Sequence, residues 1–298
     1  MPSVYWWKPY RTVRALVGES TRHRGAWWQL TRRHLAFSNF GDQANQAVFT
    51  HLLERPVDWS RPGSADFFGI GSVLDVYART GADGLILGSG LRSPDSDVAR
   101  SIRTARVSWV RGHRTQELLS SDRPALGDPG LLVSALVTTR SPPSTVATVL
   151  PHFSEFGSRT SLARMQRLQA DGVDLVTPNQ SVASIAAAIA SCRVLLTSSL
   201  HGIVFADALG VPVIPVRLDE QLREPTFKFS DYSSVLGTAG DVTWADPVAL
   251  STPGHLQELT DRAGERRDAI RPVVARLTAA MVDHVRTDPA VRRELLDD

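Results

Sequence analysis

Short apolar runs alternating with helical stretches, sustained over most of the chain, restrict the fold more than any other feature of this sequence. Strands are expected at His34–Ser38, Asp66–Ile70, Gly84–Leu87 and Arg106–Val110, with helices at Gln43–Leu53 and from Thr115. A second series gives strands at Val146–Leu150, Val173–Val176, Val194–Thr197 and Val211–Val216. Its helices are Ser161–Gln169, Ser181–Ala190 and Ile203–Leu209. Such alternation implies parallel sheets covered on both faces, an α/β fold. The Pro-rich stretch Arg140–Ser144 between the series reads as a hinge. The expected organisation is an arm at 1–34, a Rossmann-like domain at 35–140 and a second at 141–298 that ends in helices. In that tail, His255 to Arg286 is helical by composition, and Pro272 should kink or split it.

Open parallel sheets bind ligands beyond the carboxyl ends of their strands. The unusual polar residues of this chain fall directly after the expected strands: Asn39 and Asp42, Ser89, Arg111, His152, Asn179, His201 and Arg217. Their placement marks a ligand-facing edge.

Composition removes several classes. A single cysteine, Cys192, excludes an internal disulfide and a cysteine-rich metal site, and its setting is that of a small buried hydrophobe. No apolar run reaches membrane-spanning length, so a cytoplasmic protein is the expectation. The net charge of +2 is no strong field, and no nucleic-acid recognition module follows the basic arm. In that arm Trp6, Trp7, Trp27 and Trp28 lie among Arg11, Arg14, Arg22, Arg24, Arg32 and Arg33. Two readings stand: a peripheral contact with an anionic membrane face or a sugar, or an arm that buries its tryptophans on the body.

Individual segments add chemistry. In Phe37-Ser-Asn-Phe-Gly-Asp42, Gly41 permits close backbone approach, and Asp42 either caps the following helix or contacts an acceptor hydroxyl. Gly69-Ile-Gly71-Ser72 and Gly88-Ser89-Gly90 are strand-end turns whose N–H groups suit phosphate, although neither completes a dinucleotide fingerprint. Arg111 emerges at a strand end, where a guanidinium grips carboxylate or phosphate, or simply pairs at the surface. His201 stands where a buried strand gives way to a helix closed by Gly210. The helix N-terminus lowers the imidazolium pKa and a bound anion raises it, opposing pressures that suit a proton donor. Among 33 lysines and arginines only Lys8 and Lys228 are lysine. Lys228 can reach a phosphate and Tyr232 a sugar, or both pack within a loop.

Taken in order, Asn39-Phe-Gly-Asp42, Gly88-Ser-Gly90, Val110-Arg-Gly112 with Thr115, Gly127-Asp-Pro129, Pro151-His152, Ser198-Ser-Leu-His-Gly202 with Ala206 to Pro212, and Lys228-Phe with Asp231-Tyr232 resemble the polysaccharide pyruvyltransferase family over roughly residues 35–237. The resemblance implies a fold like the two-domain GT-B glycosyltransferases with the site in the cleft between them. It implies phosphoenolpyruvate as donor, no cofactor or metal, and a saccharide or lipid-linked glycan as acceptor, met in the cytoplasm or at the inner membrane face. The product would be a pyruvate ketal. His201 would then be the acid and Asp42 the base, with Asn39, Ser89, Gly90, Arg111, His152, Ser199, Arg217, Lys228 and Tyr232 binding substrate. Ser199 departs from the family pattern, since many members carry arginine two positions before the histidine; Arg111, Arg114, Arg217 or Lys228 would substitute. The rival expectations are a nucleotide-sugar glycosyltransferase on the same architecture and a non-catalytic glycan-binding relative.

Overall fold

The structure is a computed structural model that describes residues 1–8, 17–18, 21–22, 24–31, 39–137, 144–220, 224–238, 242–250, 252 and 254–297. The expected strand at 34–38 and the expected hinge at 140–144 lie outside the described residues, save Ser144.

Nine strands form two sheets among the described residues, all of them paired in parallel. The first sheet has the order β2-β1-β3-β4-β5, built from β1 (Ser3–Tyr5), β2 (Asp58–Trp59), β3 (Phe67–Phe68), β4 (Leu85–Leu87) and β5 (Val107–Trp109). The second has the order β7-β6-β8-β9, built from β6 (Thr145–Leu150), β7 (Asp174–Leu175), β8 (Cys192–Thr197) and β9 (Val213–Pro215). The two-sheet α/β expectation is therefore met. Ser3–Tyr5, read from sequence as part of an arm, is instead a strand within the first sheet, with Val4 opposite Trp59 on one side and Phe67 on the other. It lies ahead of the alternation of apolar runs and helical stretches from which the other strands are read.

Near-continuous apolar runs such as Leu85-Ile-Leu87 and Val194-Leu-Leu196 are buried because helices cover both faces of a parallel sheet. One apolar core is continuous from Phe67 and Trp109 through Leu131 and Val133 to Leu195 and Phe205, and so joins the two sheets. Helix Leu200–Leu209 runs through this core buried on nearly every side, and ends at Gly210 in the left-handed conformation (φ 65°) that glycine adopts without strain. Cys192 is buried, which pushes its thiol up to about 11.

Of the arm tryptophans, Trp6 is buried, Trp7 stacks on Phe153 at 5.3 Å, Trp27 packs against the core of the second sheet and Trp28 stays exposed. The tail is one unbroken helix, His255–Thr287, with Pro272 inside it. The expected split does not occur. Proline removes the one bond to the Asp268 carbonyl, and the stripe Ile270, Val274, Leu277, Met281 and Val285, buried against the body, holds the helix together. No helix among the described residues is long and apolar enough to cross a membrane.

Candidate active site

In each sheet the strand order reverses once, between β1 and β3 in the first and between β6 and β8 in the second. Chain connections leave such a switch point in opposite directions and open a crevice at the strand ends. Both crevices here open on a single cavity of about 540 Å³. Tyr5 and Trp7 line it from the end of β1, Ser72 from beyond β3, His152 and Phe153 from beyond β6, and Ser199 and His201 from beyond β8.

The acidic wall belongs to helix Phe40–Leu52. Its N-cap is Asn39, extended at φ −119°, whose side chain accepts from the Gly41 N–H. Asp42 therefore sits in the first turn and does not cap the helix from outside, as the sequence suggested. Asn39 Nδ2 donates to Asp42 Oδ2 at 2.7 Å. Asn45 ties the same turn to the end of β3, donating to the carbonyls of Asp42 and Ile70 and accepting from the Ile70 N–H. The helix also docks across to the second sheet's side through Phe40 N–H and the Pro178 carbonyl at 3.1 Å. Burial raises Asp42 to about 7 against the opposing pull of Lys228 and Asn39.

His201 lies in the first turn of helix Leu200–Leu209 and is 7% exposed. Gly41 makes room for it: a Cβ there would stand 1.8 Å from His201 Nδ1. The other ring nitrogen, Nε2, is buried and points at Asp128 Oδ2, 3.9 Å away. Neither atom has a hydrogen-bond partner among the described residues. Burial, then the charges of Lys228, Arg111 and His152, lower His201 to about 3, so the imidazole of the free protein is neutral at pH 7. The protonated histidine expected from sequence requires an added anion to offset those cations.

Opposite stands a cationic group. Lys228, in the first turn of helix Phe227–Val235, donates to Glu224 Oε2 at 2.7 Å, and Arg92 reaches Glu224 Oε1 at 3.3 Å. His152 Nδ1 is 3.8 Å from Glu224 Oε1 and shares a hydrogen bond with Ser154 Oγ. Burial alone would raise Glu224, but Lys228, His152 and Arg92 together pull it down to about 2. Arg22 and Arg79 also line the cavity.

Six sequence candidates thus meet in one place: Asn39, Asp42, His152, Ser199, His201 and Lys228. Five do not. Arg111 is fully buried and its guanidinium is used up, with Nε on Asp231 Oδ2 at 2.9 Å, Nη1 on Ser72 Oγ at 2.7 Å and Nη2 on the Leu91 carbonyl at 2.7 Å. Ser89 donates to the Gly69 carbonyl, and Gly90 leaves the space that the Arg111 guanidinium fills. Both build scaffold. Arg217 lines a different cavity, with Arg164 and Trp244. Tyr232 sits in a helix, not a loop, and donates to Asp207 Oδ2 at 2.9 Å, where Arg266 holds both carboxylate oxygens. Its hydroxyl is occupied away from the site. Sequence reading missed Arg92, Glu224 and Asp128 as site residues. The signals were Arg92 two positions past the Gly88–Gly90 turn and Glu224 four positions before the lone lysine of the body.

The fold is a Rossmann-like α/β arrangement whose two sheets bring their switch points to one cavity, lined by carboxylate, imidazole and cationic side chains. Residues 19–220 match the family model of polysaccharide pyruvyl transferases, and the chain belongs to that family, one of transferases. An uncharacterized protein of Acanthamoeba polyphaga mimivirus is 32% identical over 177 residues, 57% of this chain. The chain spans 60% of that relative's length.

Proposed function

We propose that the protein transfers the enolpyruvyl unit of phosphoenolpyruvate to two hydroxyls of a glycan, forming a pyruvate ketal. The observation that carries this reading is the convergence of Asp42, His201, Lys228 and Arg92 on the cavity shared by both switch points. In this reading the two sheets are two Rossmann-like halves in the manner of GT-B enzymes.

The donor brings carboxylate and phosphate to Lys228, Arg92 and His152, which Glu224 now holds. Its charge offsets the cations that keep His201 neutral, and the imidazole gains a proton. His201 then gives that proton to the methylene carbon, leaving an oxocarbenium-like centre beside the carboxylate. A first acceptor hydroxyl attacks that centre and loses its proton to Asp42, whose elevated pKa near 7 suits a base at neutral pH. The carbon–oxygen bond to phosphate breaks. The second hydroxyl closes the ketal, and its proton leaves on the phosphate as hydrogen phosphate. Solvent exchange returns a proton to His201 and removes one from Asp42. The Ser199 departure is met by Arg92, a guanidinium supplied from beyond β4 in place of one beside the histidine.

The test is to incubate the protein with phosphoenolpyruvate and diol-bearing oligosaccharides or lipid-linked glycans, following phosphate release and the ketal by mass spectrometry. Acceptor-dependent release with a ketal product is the expected result. Stabilisation by a nucleotide sugar, with none by phosphoenolpyruvate, would overturn the reading in favour of glycosyl transfer.

A further inference from the structure

Asp128 takes no part in the mechanism above, yet it is fully buried beside the cavity. Its Oδ1 accepts the Gly130 N–H at 2.8 Å, which fixes the carboxylate at the head of the turn Pro129–Leu136. Its Oδ2 is left without a partner among the described residues and faces the equally unpartnered Nε2 of His201 at 3.9 Å. Two buried polar atoms left open together are costly, and here the two face each other, so one explanation must serve both. A turn residue alone would explain Oδ1 but not the aim of Oδ2.

We propose that Asp128 is the positioning residue for His201: it accepts from Nε2–H, fixes that tautomer, and so reserves Nδ1 for proton transfer. The inference rests on the function proposed above. When the imidazole is charged, the gap closes to a charge-assisted hydrogen bond, the logic by which a buried aspartate orients the histidine of a hydrolase triad. The groups that face the pair are consistent with this. His201 is pressed by Lys228, Arg111 and His152, all unfavourable to its protonation, and Asp128 is the carboxylate nearest its buried nitrogen. Burial raises Asp128 to about 6, with Arg111 and the Gly130 N–H opposing and Asp231 adding to the rise. It is therefore mainly ionised at pH 7.5 and able to accept. Nδ1 lies against the Gly41 backbone, where any side chain would displace the ring.

The experiment is side-chain ¹⁵N NMR of histidine-labelled protein without ligand, at pH 7.5, in the wild type and in Asp128→Asn. The asparagine keeps an oxygen for the Gly130 N–H but offers Nε2 a donor in place of an acceptor. The expected result is an Nε2–H tautomer for His201 in the wild type and an Nδ1–H tautomer in the variant. With it, kcat for ketal formation should fall about 10²-fold while KM for phosphoenolpyruvate moves little. An Nδ1–H tautomer in the wild type overturns the assignment even if the variant does not fold, and so does a tautomer that Asp128→Asn leaves unchanged. A tautomer switch in a protein that shows no pyruvyl transfer supports the pair and overturns the function instead.

Discussion

Two buried polar groups flank the cavity and are built to opposite standards. Around Arg111 nothing is left open: the guanidinium meets Asp231, Ser72 and Leu91, and Asp231 also accepts from the Thr115 N–H at 2.7 Å and the Thr115 hydroxyl at 2.8 Å. Around His201 the geometry stops short, with Nε2 and Asp128 Oδ2 facing each other unbonded. The first group has spent its bonding capacity on holding β3, β5 and helix Phe227–Val235 together. In the function proposed above, the second keeps its capacity in reserve, at a cost in stability, for a proton and an anion that arrive with substrate. Sequence position alone treats the two as equals, since both follow strands; satisfaction of the hydrogen bonds separates scaffold from chemistry.

The largest expected effect breaks the satisfied group. Arg111→Leu leaves Asp231 buried without its cation and should destabilise the fold by about 3–5 kcal/mol, read by urea denaturation. A loss of activity with unchanged stability would show that Arg111 acts on substrate after all. Next comes the open group, where the expectation reverses. His201→Ala should cut turnover roughly 10²–10⁴-fold while leaving the denaturation midpoint close to that of the wild type.

Asp42 sharpens the contrast through pH. Its folded pKa of about 7 lies above its ordinary value of 3.8, so the group favours the folded state fully below pH 3.8. That contribution is lost as pH rises through 7, because the unfolded chain releases the proton first. Asp42→Asn should therefore flatten the fall in stability between pH 4 and 7 and be the more stable protein at pH 8. Glu224 runs the other way: held at about 2 against 4.5, it contributes above pH 4.5 and loses that contribution as pH falls toward 2. The smallest effect is on binding. Glu224→Gln frees Lys228 and Arg92 from a competing carboxylate, and KM for the anionic donor should drop about fivefold, near 1 kcal/mol.

Much of the architecture was legible because its signal is periodic. Leu85–Leu87, Cys192–Thr197 and Leu200–Leu209 announce themselves as apolar runs bounded by glycine, serine or histidine. The strands Ser3–Tyr5 and Asp58–Trp59 were not legible, since the first lies ahead of the strand–helix alternation and the second, Asp-Trp, is no apolar run. In the site, residues that follow strands were found because strand ends have a rule. Arg92, Glu224 and Asp128 were missed because what marks them is a partner remote in sequence, Glu224 for Arg92 and His201 for Asp128, a proximity that no spacing along the chain encodes. The same limit explains Arg111. A strand-end arginine looks identical in sequence whether its guanidinium meets a ligand or, as here, Asp231.

The most direct test is the titration of His201 followed by NMR with and without phosphoenolpyruvate. The expected result is a neutral imidazole at pH 7 in the free protein, titrating near 3, that shifts upward by several pH units when the donor binds. An imidazole already protonated at pH 7 without the donor, or one whose titration the donor leaves in place, would contradict the assignment of this pair as the open, working half of the site.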